Sequence, residues 1–307
     1  MYRIIAFFIT ITPFFLCGQS IDLSLNLEKG KTYRHQLSSR ADITQDIGGD
    51  LIETRMTISG DLEWRVKSSK KESYTMEGSY LTVEIEMRLE EGNMKFSSDS
   101  KEGDVFTNLL KRVVGQPFTM EVNSKGMIEE IKGMDKVFDE AFETLRDRVD
   151  EEKLSRLRSQ LTKAIGPDAL KGNLQTVLSV FPGKTVSKGD TWQVATIFSD
   201  GMDAAISSTY QLDEVSANKV TISGTSNVRS RDTEQFFELN GKFFRYEING
   251  NRKSTITIDR NSGWVKSASI SQSLGGDSYL QPADELDEEI TIPITIDNEI
   301  TISDQKK

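Results

Sequence analysis

Apolar and polar residues alternate along two long stretches of the chain, and a period of two predicts β-strands. In the first stretch, "DLSLNL" (22–27) and "YLTVEIEMRL" (80–89) place a large apolar residue at every second position. The second stretch follows Pro182, and its residues 233–271 read as successive hairpins that turn at Asn240-Gly241, at Asn249-Gly250 and at 259–264. One apolar and one polar face per strand is typical of an antiparallel sheet.

Between these stretches the period changes to about 3.6, which predicts amphipathic helices. "GPD" (166–168) ends one helix and starts another, whose apolar side runs from Leu170 to Phe181. A short helix is predicted within 99–116, and a hairpin with its turn at Gly126 is predicted over 117–133. The stripe of the first long helix comprises Met134, Val137, Phe138, Ala141, Phe142, Leu145 and Val149, and after a slip of one residue Leu154, Leu157, Leu161 and Ile165.

Two short motifs occur in the same order in both alternating stretches. "LEKGKTY" (27–33) matches "VSKGDTW" (186–192), and "NSKGMIEEI" (123–131) matches "RNSGWVKSA" (260–268). Ordered repetition predicts an ancient duplication, with each glycine forming a turn before a strand and with Tyr33 and Trp192 in the core. A phosphate-binding loop is disfavoured because there is no Gly-Lys-Ser/Thr and because a strand, not a helix, follows.

The sequence therefore predicts a mainly β (α+β) fold, in which a curved antiparallel sheet consists of two similar β-units with a helical insertion between them. The expected boundaries are 19–133 for the first β-unit, 134–181 for the helical segment and 182–282 for the second β-unit. Residues 283–307 are expected to form an acidic linker and a C-terminal edge strand, because Pro293 cannot donate a hydrogen bond to a neighbouring strand.

The first 18 residues have the pattern of a secretory signal peptide. Arg3 precedes an apolar run, Ile4–Leu16, that is shorter than the roughly 20 residues of a membrane-spanning helix. Cleavage is expected after Gly18, so the protein should be exported, to the periplasm or outside the cell, with no transmembrane segment in the mature chain. Lipid anchoring through Cys17 is the alternative, but Leu16 stands where that processing needs a small residue.

Composition excludes several kinds of chemistry. The formal net charge of −10 disfavours nucleic acid as a partner. The chain has one histidine, His35, and its one cysteine lies in the signal peptide, which excludes zinc catalysis and a cysteine nucleophile. His35 is predicted to be a structural residue that shares a strand face with Tyr33 and Leu37. The acidic run at 284–289 lacks the glycine spacing of a calcium loop. No catalytic residue, metal or cofactor is predicted.

Four phenylalanines flank the predicted Asn240-Gly241 turn. Consecutive residues of a strand point to opposite faces, so both faces of this hairpin need cover. The predicted site is an apolar groove between the hairpin and the helical stripe, which would hold an apolar small molecule unless the rings fill one another. Its residues are Phe138, Phe142, Leu145, Phe236, Phe237, Phe243 and Phe244.

The apolar leader, the "KGKTY" opening, the hairpin at 117–133, the helix at 134–165 and "FPGKTVSKGDTW" (181–192) together resemble an uncharacterised family of exported bacterial proteins. This resemblance implies export and a β-rich body with inserted helices, and it brings no activity or site residues. A looser similarity of fold is to periplasmic lipoprotein carriers, in which a curved sheet wraps apolar helices.

Three functions follow in order of preference. The first is a non-enzymatic cell-envelope protein that binds an apolar ligand such as a lipid. The second is a structural or interaction module that pairs with another envelope protein through an exposed sheet edge. A hydrolase that uses a pair of carboxylates is the third.

Overall fold

The computed structural model describes residues 20–90, 92–101, 103–146, 149–199, 203–239, 242–281 and 289–304. Four sequence predictions lie outside these residues: the signal peptide with its cleavage site, the alternative lipid anchor at Cys17, the Asn240-Gly241 turn and nearly all of the acidic linker.

The fold is mainly β, with helices inserted between two runs of antiparallel strands. The first run contains β1 (Ile21–Asp22), β2 (Thr32–Ile47), β3 (Asp50–Lys70), β4 (Ser73–Leu89), β5 (Gly92–Ser97), helix α1 (Val105–Val113), β6 (Phe118–Asn123) and β7 (Ile128–Lys132). The insertion contains α2 (Met134–Glu143), α3 (Glu151–Ile165) and α4 (Pro167–Leu178). The second run contains β8 (Thr185–Val186), β9 (Thr191–Ser199), β10 (Asp203–Val215), β11 (Lys219–Ser230), β12 (Phe237–Leu239), β13 (Lys242–Asp259), β14 (Val265–Leu280) and β15 (Ile290–Asp304).

Within the described residues β1 and β8 pair with each other as a separate two-stranded sheet, and the other strands of the two runs form one large open sheet. Its main path is β7-β6-β4-β3-β2-β15-β14-β13-β11-β10-β9, with β5 paired to β4 and β12 paired to β13. The end strands of this path, β7 and β9, both pack against α4. The helical insertion therefore lies against one face of the sheet, which we call the inner face.

The C-terminal strand occupies the middle of the sheet, where the sequence predicts an edge. β15 pairs with β14 along its whole length and also pairs with β2 from Ile294 onward. Pro293 lies just before the β2 pairing begins, where β15 has a partner on one side only. A residue without an N–H group is tolerated where a strand has one neighbour, so a proline that indicates an edge marks only the singly paired part of a central strand.

The predicted helix over 134–165 is two helices. α2 ends at Glu143, and α3 begins after Asp150, whose carboxylate accepts a hydrogen bond of 2.8 Å from the backbone N–H of Lys153. A side-chain acceptor at this position satisfies an amide that a new helix leaves free, which favours a start there. The slip of one residue in the apolar stripe marks this break.

A β-bulge interrupts the alternation predicted over 80–89. The register between β3 and β4 shifts between the Asp61–Thr82 pair and the Leu62–Tyr80 pair, so Leu81 has no partner on β3. Tyr80 and Val83 are therefore both buried on the inner face. Residues after the bulge keep the predicted phase, so the apolar residue at every second position from Val83 to Leu89 points toward the helices.

The two Lys-Gly turns of the repeated motif have the same local structure. Gly30 and Gly189 adopt φ angles of +87° and +90°, which glycine tolerates and other residues rarely adopt. The N–H of Gly30 donates to the carbonyl of Val66 at 2.8 Å, and the N–H of Gly189 donates to the carbonyl of Leu212 at 2.7 Å. Each glycine is thus the turn before a strand, as predicted.

The aromatic residue after each turn pairs with an aromatic residue on the next strand. Tyr33 lies opposite Trp64, and Trp192 lies opposite Tyr210. Trp192 is only 5% exposed and its indole N–H donates to a backbone carbonyl at 2.8 Å, so its predicted burial is confirmed. The matching turns and pairs support the predicted duplication, which stays a prediction.

Candidate functional site

The helical part of the predicted apolar groove lies within the main hydrophobic core. Phe138, Phe142 and Leu145 are all buried there, packed among side chains of the sheet and the helices. The guanidinium of Arg158 covers the Phe142 ring at 5.9 Å from its centroid. These three side chains therefore fill space that the prediction left to a ligand.

The hairpin part of that groove lies apart from this core. Phe237 pairs with Phe244 between β12 and β13, and Phe243 is 46% exposed. The ring of Phe236 is covered by the guanidinium of Arg245, at 5.9 Å. None of the four belongs to the cluster that contains the helical stripe, so the structure does not bring the seven predicted residues together.

A row of methionines crosses the inner face in the first run of strands. Met56 on β3 pairs with Met87 on β4, and Met87 pairs with Met94 on β5. In the next row Ile85 pairs with Phe96. Side chains at paired positions lie on the same face about 5 Å apart, so the three thioethers form a continuous apolar strip. We call it the methionine row.

The methionine row forms the floor of a cavity of about 620 Å³. Helices α1 and α3 form its opposite side, through Val105 and Phe106 of α1 and Leu157 and Ala164 of α3. The rings of Phe96 and Phe106 are 4.8 Å apart and tilted, so they form one wall. The volume lies within the range of about 300–1,000 Å³ that is typical of small-molecule sites. We call this cavity the groove.

Polar groups lie only at the margin of the groove. Lys153, Gln160 and Lys163 are exposed residues of α3 that line it. The carboxylate of Asp104 caps α1, and although desolvation opposes its ionisation, hydrogen bonds from Thr107 hold its pKa below the ordinary value. Asp104 is thus engaged in the helix cap, and the interior of the groove offers apolar contacts without a catalytic pair.

The sequence contained part of the signal for this groove. Met87 belongs to the predicted alternation of 80–89. Met56 belongs to a second strand-like stretch, 56–66, in which every second residue points to the same face. Their alignment in one row depends on the register of β3 against β4, including the bulge, which alternation alone does not specify.

His35 is buried on the face it shares with Leu37, as predicted. Its ring lies 6.4 Å from Trp64 and 6.1 Å from Trp264, and its Nε2 has no hydrogen-bond partner among the described residues. Burial lowers the pKa of this imidazole to about 4. The ring is therefore a neutral core residue at neutral pH.

The described residues offer no membrane-spanning helix and no cluster of metal ligands. None of the described helices is both long and apolar enough to cross a bilayer. Within the same ranges, no three His, Cys, Asp or Glu side chains come together as a possible metal site.

Comparison with known proteins identifies a family and distant structural likenesses. The model of a family of unknown function (DUF6263) matches residues 71–265. Curated proteins give no significant match. Among solved structures the chain is similar to lipovitellin, in a structure concerned with its lipid–protein interactions, at 13% identity and a TM-score of 0.49. That alignment covers 92% of this chain and 26% of the lipovitellin chain, so this chain spans about a quarter of its length.

Two outer-membrane proteins give lower scores. An outer membrane channel from Pseudomonas putida F1 has 7% identity and a TM-score of 0.24, with 92% of this chain and 97% of that chain covered. OmpF of Salmonella typhi has 8% identity and a TM-score of 0.22, with 91% and 100% covered. Scores below 0.5 carry no argument about fold or ligand.

Proposed function

The chain belongs to a family of unknown function (DUF6263), and from this premise we propose that it is a non-enzymatic binding protein that holds an apolar ligand, such as the acyl chain of a lipid, in the groove. The observation that carries the proposal is the methionine row beneath a cavity of about 620 Å³. Methionine side chains are flexible and polarisable, and they are frequent at surfaces that bind varied apolar partners.

The energetics of such a site favour a ligand with a long apolar part. Each 100 Å² of apolar ligand surface that leaves water contributes about 2.5 kcal/mol. Lost motional freedom on association offsets part of this gain. A chain that lies along the methionine row and against Phe96 and Phe106 is covered on both sides, whereas a polar ligand would lose its water without gaining hydrogen bonds there.

Binding of the neutral apolar fluorophore N-phenyl-1-naphthylamine tests the proposal. We expect saturable enhancement of its fluorescence, and we expect Leu157→Trp, which fills the groove from α3, to weaken binding at least tenfold. Leu51→Trp is the matched control, because Leu51 is 61% exposed and lies away from the groove.

Two results would contradict the proposal: absence of saturable binding by the wild-type protein, or wild-type affinity in a folded Leu157→Trp variant. If Leu157→Trp does not fold, Met94→Glu replaces it. Met94 is 40% exposed at the rim of the groove, so a charge is tolerated there by the fold and disfavours an apolar ligand.

We also propose that the protein acts outside the cytoplasm, in the periplasm or beyond the cell. The support is Arg3 followed by the short apolar run Ile4–Leu16. The intact mass of protein produced in a bacterial host should correspond to loss of about 18 residues. A protein that retains Cys17 with a diacylglycerol group would instead be anchored, and a full-length mass would show that the leader is not cleaved.

A further inference from the structure

The methionine row continues across the sheet as a row of polar residues. Register pairs Met56 with Ala41 on β2 and Ala41 with Asn298 on β15. Asn298 is paired with Gln272 on β14, and Gln272 with Arg252 on β13. Beyond Arg252 the row passes through Ser226 and Ser208, whose hydroxyls lie 2.8 Å apart, and reaches Val194 on the end strand β9. One line of side chains on the inner face therefore joins the apolar methionine row to a polar stretch that contains Arg252.

Arg252 is the charged residue of this row, in which Gln272 and Ser226 lie beside it, and apolar residues lie farther along the strands. On one side along the strands lie buried residues such as Ile256, and on the other side lies a second hydrophobic cluster that includes Ile248 and Leu274. Among the described residues the only hydrogen-bond partner of its guanidinium is the amide oxygen of Gln272, which accepts from Nε at 3.0 Å and from Nη2 at 2.6 Å.

No described carboxylate neutralises this guanidinium. Burial lowers the pKa of Arg252 below its ordinary value, and the nearby Tyr210 only partly opposes the shift. Arginine nevertheless stays protonated, so a full positive charge lies in a partly buried position. Such a charge is costly to a fold unless an anion pairs with it, and an apolar residue of similar size would serve stability as well or better.

Arg252 lines a cavity that adjoins the groove. This second cavity has a volume of about 270 Å³, and Gln272 and Asn298 also line it. Lys163 and Ala164 of α3 line both cavities, so the two meet beneath the C-terminal end of that helix. A ligand that occupies the groove can thus extend toward the guanidinium without leaving the inner face.

We infer that Arg252, positioned by Gln272, binds the anionic head of a single-chain amphiphile, a long-chain carboxylate, whose tail lies along the methionine row. A guanidinium donates two parallel hydrogen bonds to a carboxylate, which favours arginine over lysine for this task. With strands about 4.8 Å apart, the four strand steps from Arg252 to Met56 span roughly 20 Å along the row. This inference rests on the proposed function and specifies its ligand class.

Paired probes test the inference. Cis-parinaric acid carries a carboxylate, and its methyl ester has the same chain without the charge. We expect the wild-type protein to bind the acid at least tenfold more tightly than the ester. Arg252→Met should bind the acid only as tightly as the ester, with ester affinity unchanged and with a melting temperature at or above that of the wild type.

Two control variants separate this site from other cations. Arg65→Met and Lys184→Gln each remove an exposed cation that lines neither cavity, and both variants should keep the preference for the acid. Arg252→Gln is the second variant if Arg252→Met does not fold. Equal wild-type affinity for acid and ester, a preference that survives in Arg252→Met, or a preference lost in Lys184→Gln would each overturn the inference.

The outcomes also distinguish this inference from the proposed function. Wild-type protein that binds N-phenyl-1-naphthylamine and the ester, but shows no preference for the acid, has an apolar groove without a head-group site. Wild-type protein that binds none of the three probes has no apolar groove, and both proposals then fail.

Discussion

Acidification should destabilise the fold through His35, because this imidazole is neutral and buried in the native protein. The ring is 2% exposed and lies between the indoles of Trp64 and Trp264. Burial is the cause of its low pKa of about 4, against the ordinary value of 6.5. Between these two pH values the unfolded chain binds a proton at His35 that the folded chain does not, so stability falls as the pH decreases.

The size of the effect follows from the difference between the two pKa values. One pKa unit corresponds to about 1.4 kcal/mol, so the His35 contribution lost between neutral pH and pH 4 is about 3 kcal/mol, of which about 2 kcal/mol is lost by pH 5. Above pH 6.5 the contribution is fully present, because the imidazole is then neutral in both states.

Urea unfolding followed by tryptophan fluorescence measures this contribution at a series of pH values. Many carboxylates also titrate in this range, so the wild type is compared with His35→Phe, which keeps a ring at this position and takes up no proton. The unfolding free energy of the wild type minus that of His35→Phe should decrease by about 3 kcal/mol from pH 7.5 to pH 4. A difference that stays constant with pH would show that His35 is accessible to protons in the native state.

Two further predictions concern packing. Trp192→Ala should cost about 3–5 kcal/mol of unfolding free energy, because it removes a buried ring. Trp192→Phe keeps a ring and should cost less. A melting temperature of Trp192→Ala equal to that of the wild type would refute the burial. Gly126→Ala should lower the unfolding free energy by at least about 2 kcal/mol, since φ is +75° and a Cβ atom would lie 1.8 Å from the carbonyl oxygen of Leu178. Gly189→Ala is the control and should cost less, because Gly189 has a φ of +90° but open space around it. Equal effects of the two substitutions in denaturant unfolding would contradict the close approach at Gly126.

The fold was largely predictable from local patterns. Alternation identified the strands, the change of period located the helices, and the turn at Gly126 is confirmed by its φ of +75°. The segment 22–27 shows the limit of this approach. Its leucines are buried in alternation, yet only Ile21–Asp22 pairs as a strand, because burial of one face does not require a neighbouring strand.

The candidate site was less predictable, because it depends on which strands become neighbours. Met56, Met87 and Met94 share a row only through the pairing of β3, β4 and β5. Arg252 gave a weak local signal, since it alternates in phase with apolar residues such as Ile256. Nothing in the sequence around Arg252 indicates that its row continues onto the methionines, because that continuity runs through the non-local pairing of β15 with β2.

The pairing of β15 with β2 also bears on the order in which the chain acquires its structure. β2 is the first long strand of the chain and β15 the last, and the register joins Ile294–Asp304 to His35–Gln45. Contacts between distant parts of a chain form slowly, because loop closure must precede them. Until β15 has been synthesised, β2 and β14 each keep an unpaired edge, which is prone to association with other chains.

The sheet can therefore be completed only after β15 has been synthesised. Until then the strands before it remain with the edge of β2 unpaired. A molecular chaperone that binds extended segments would have a target during this time. The delay suits the export proposed above, because a sheet that still lacks β15 remains open while the N-terminal segment engages a transport system.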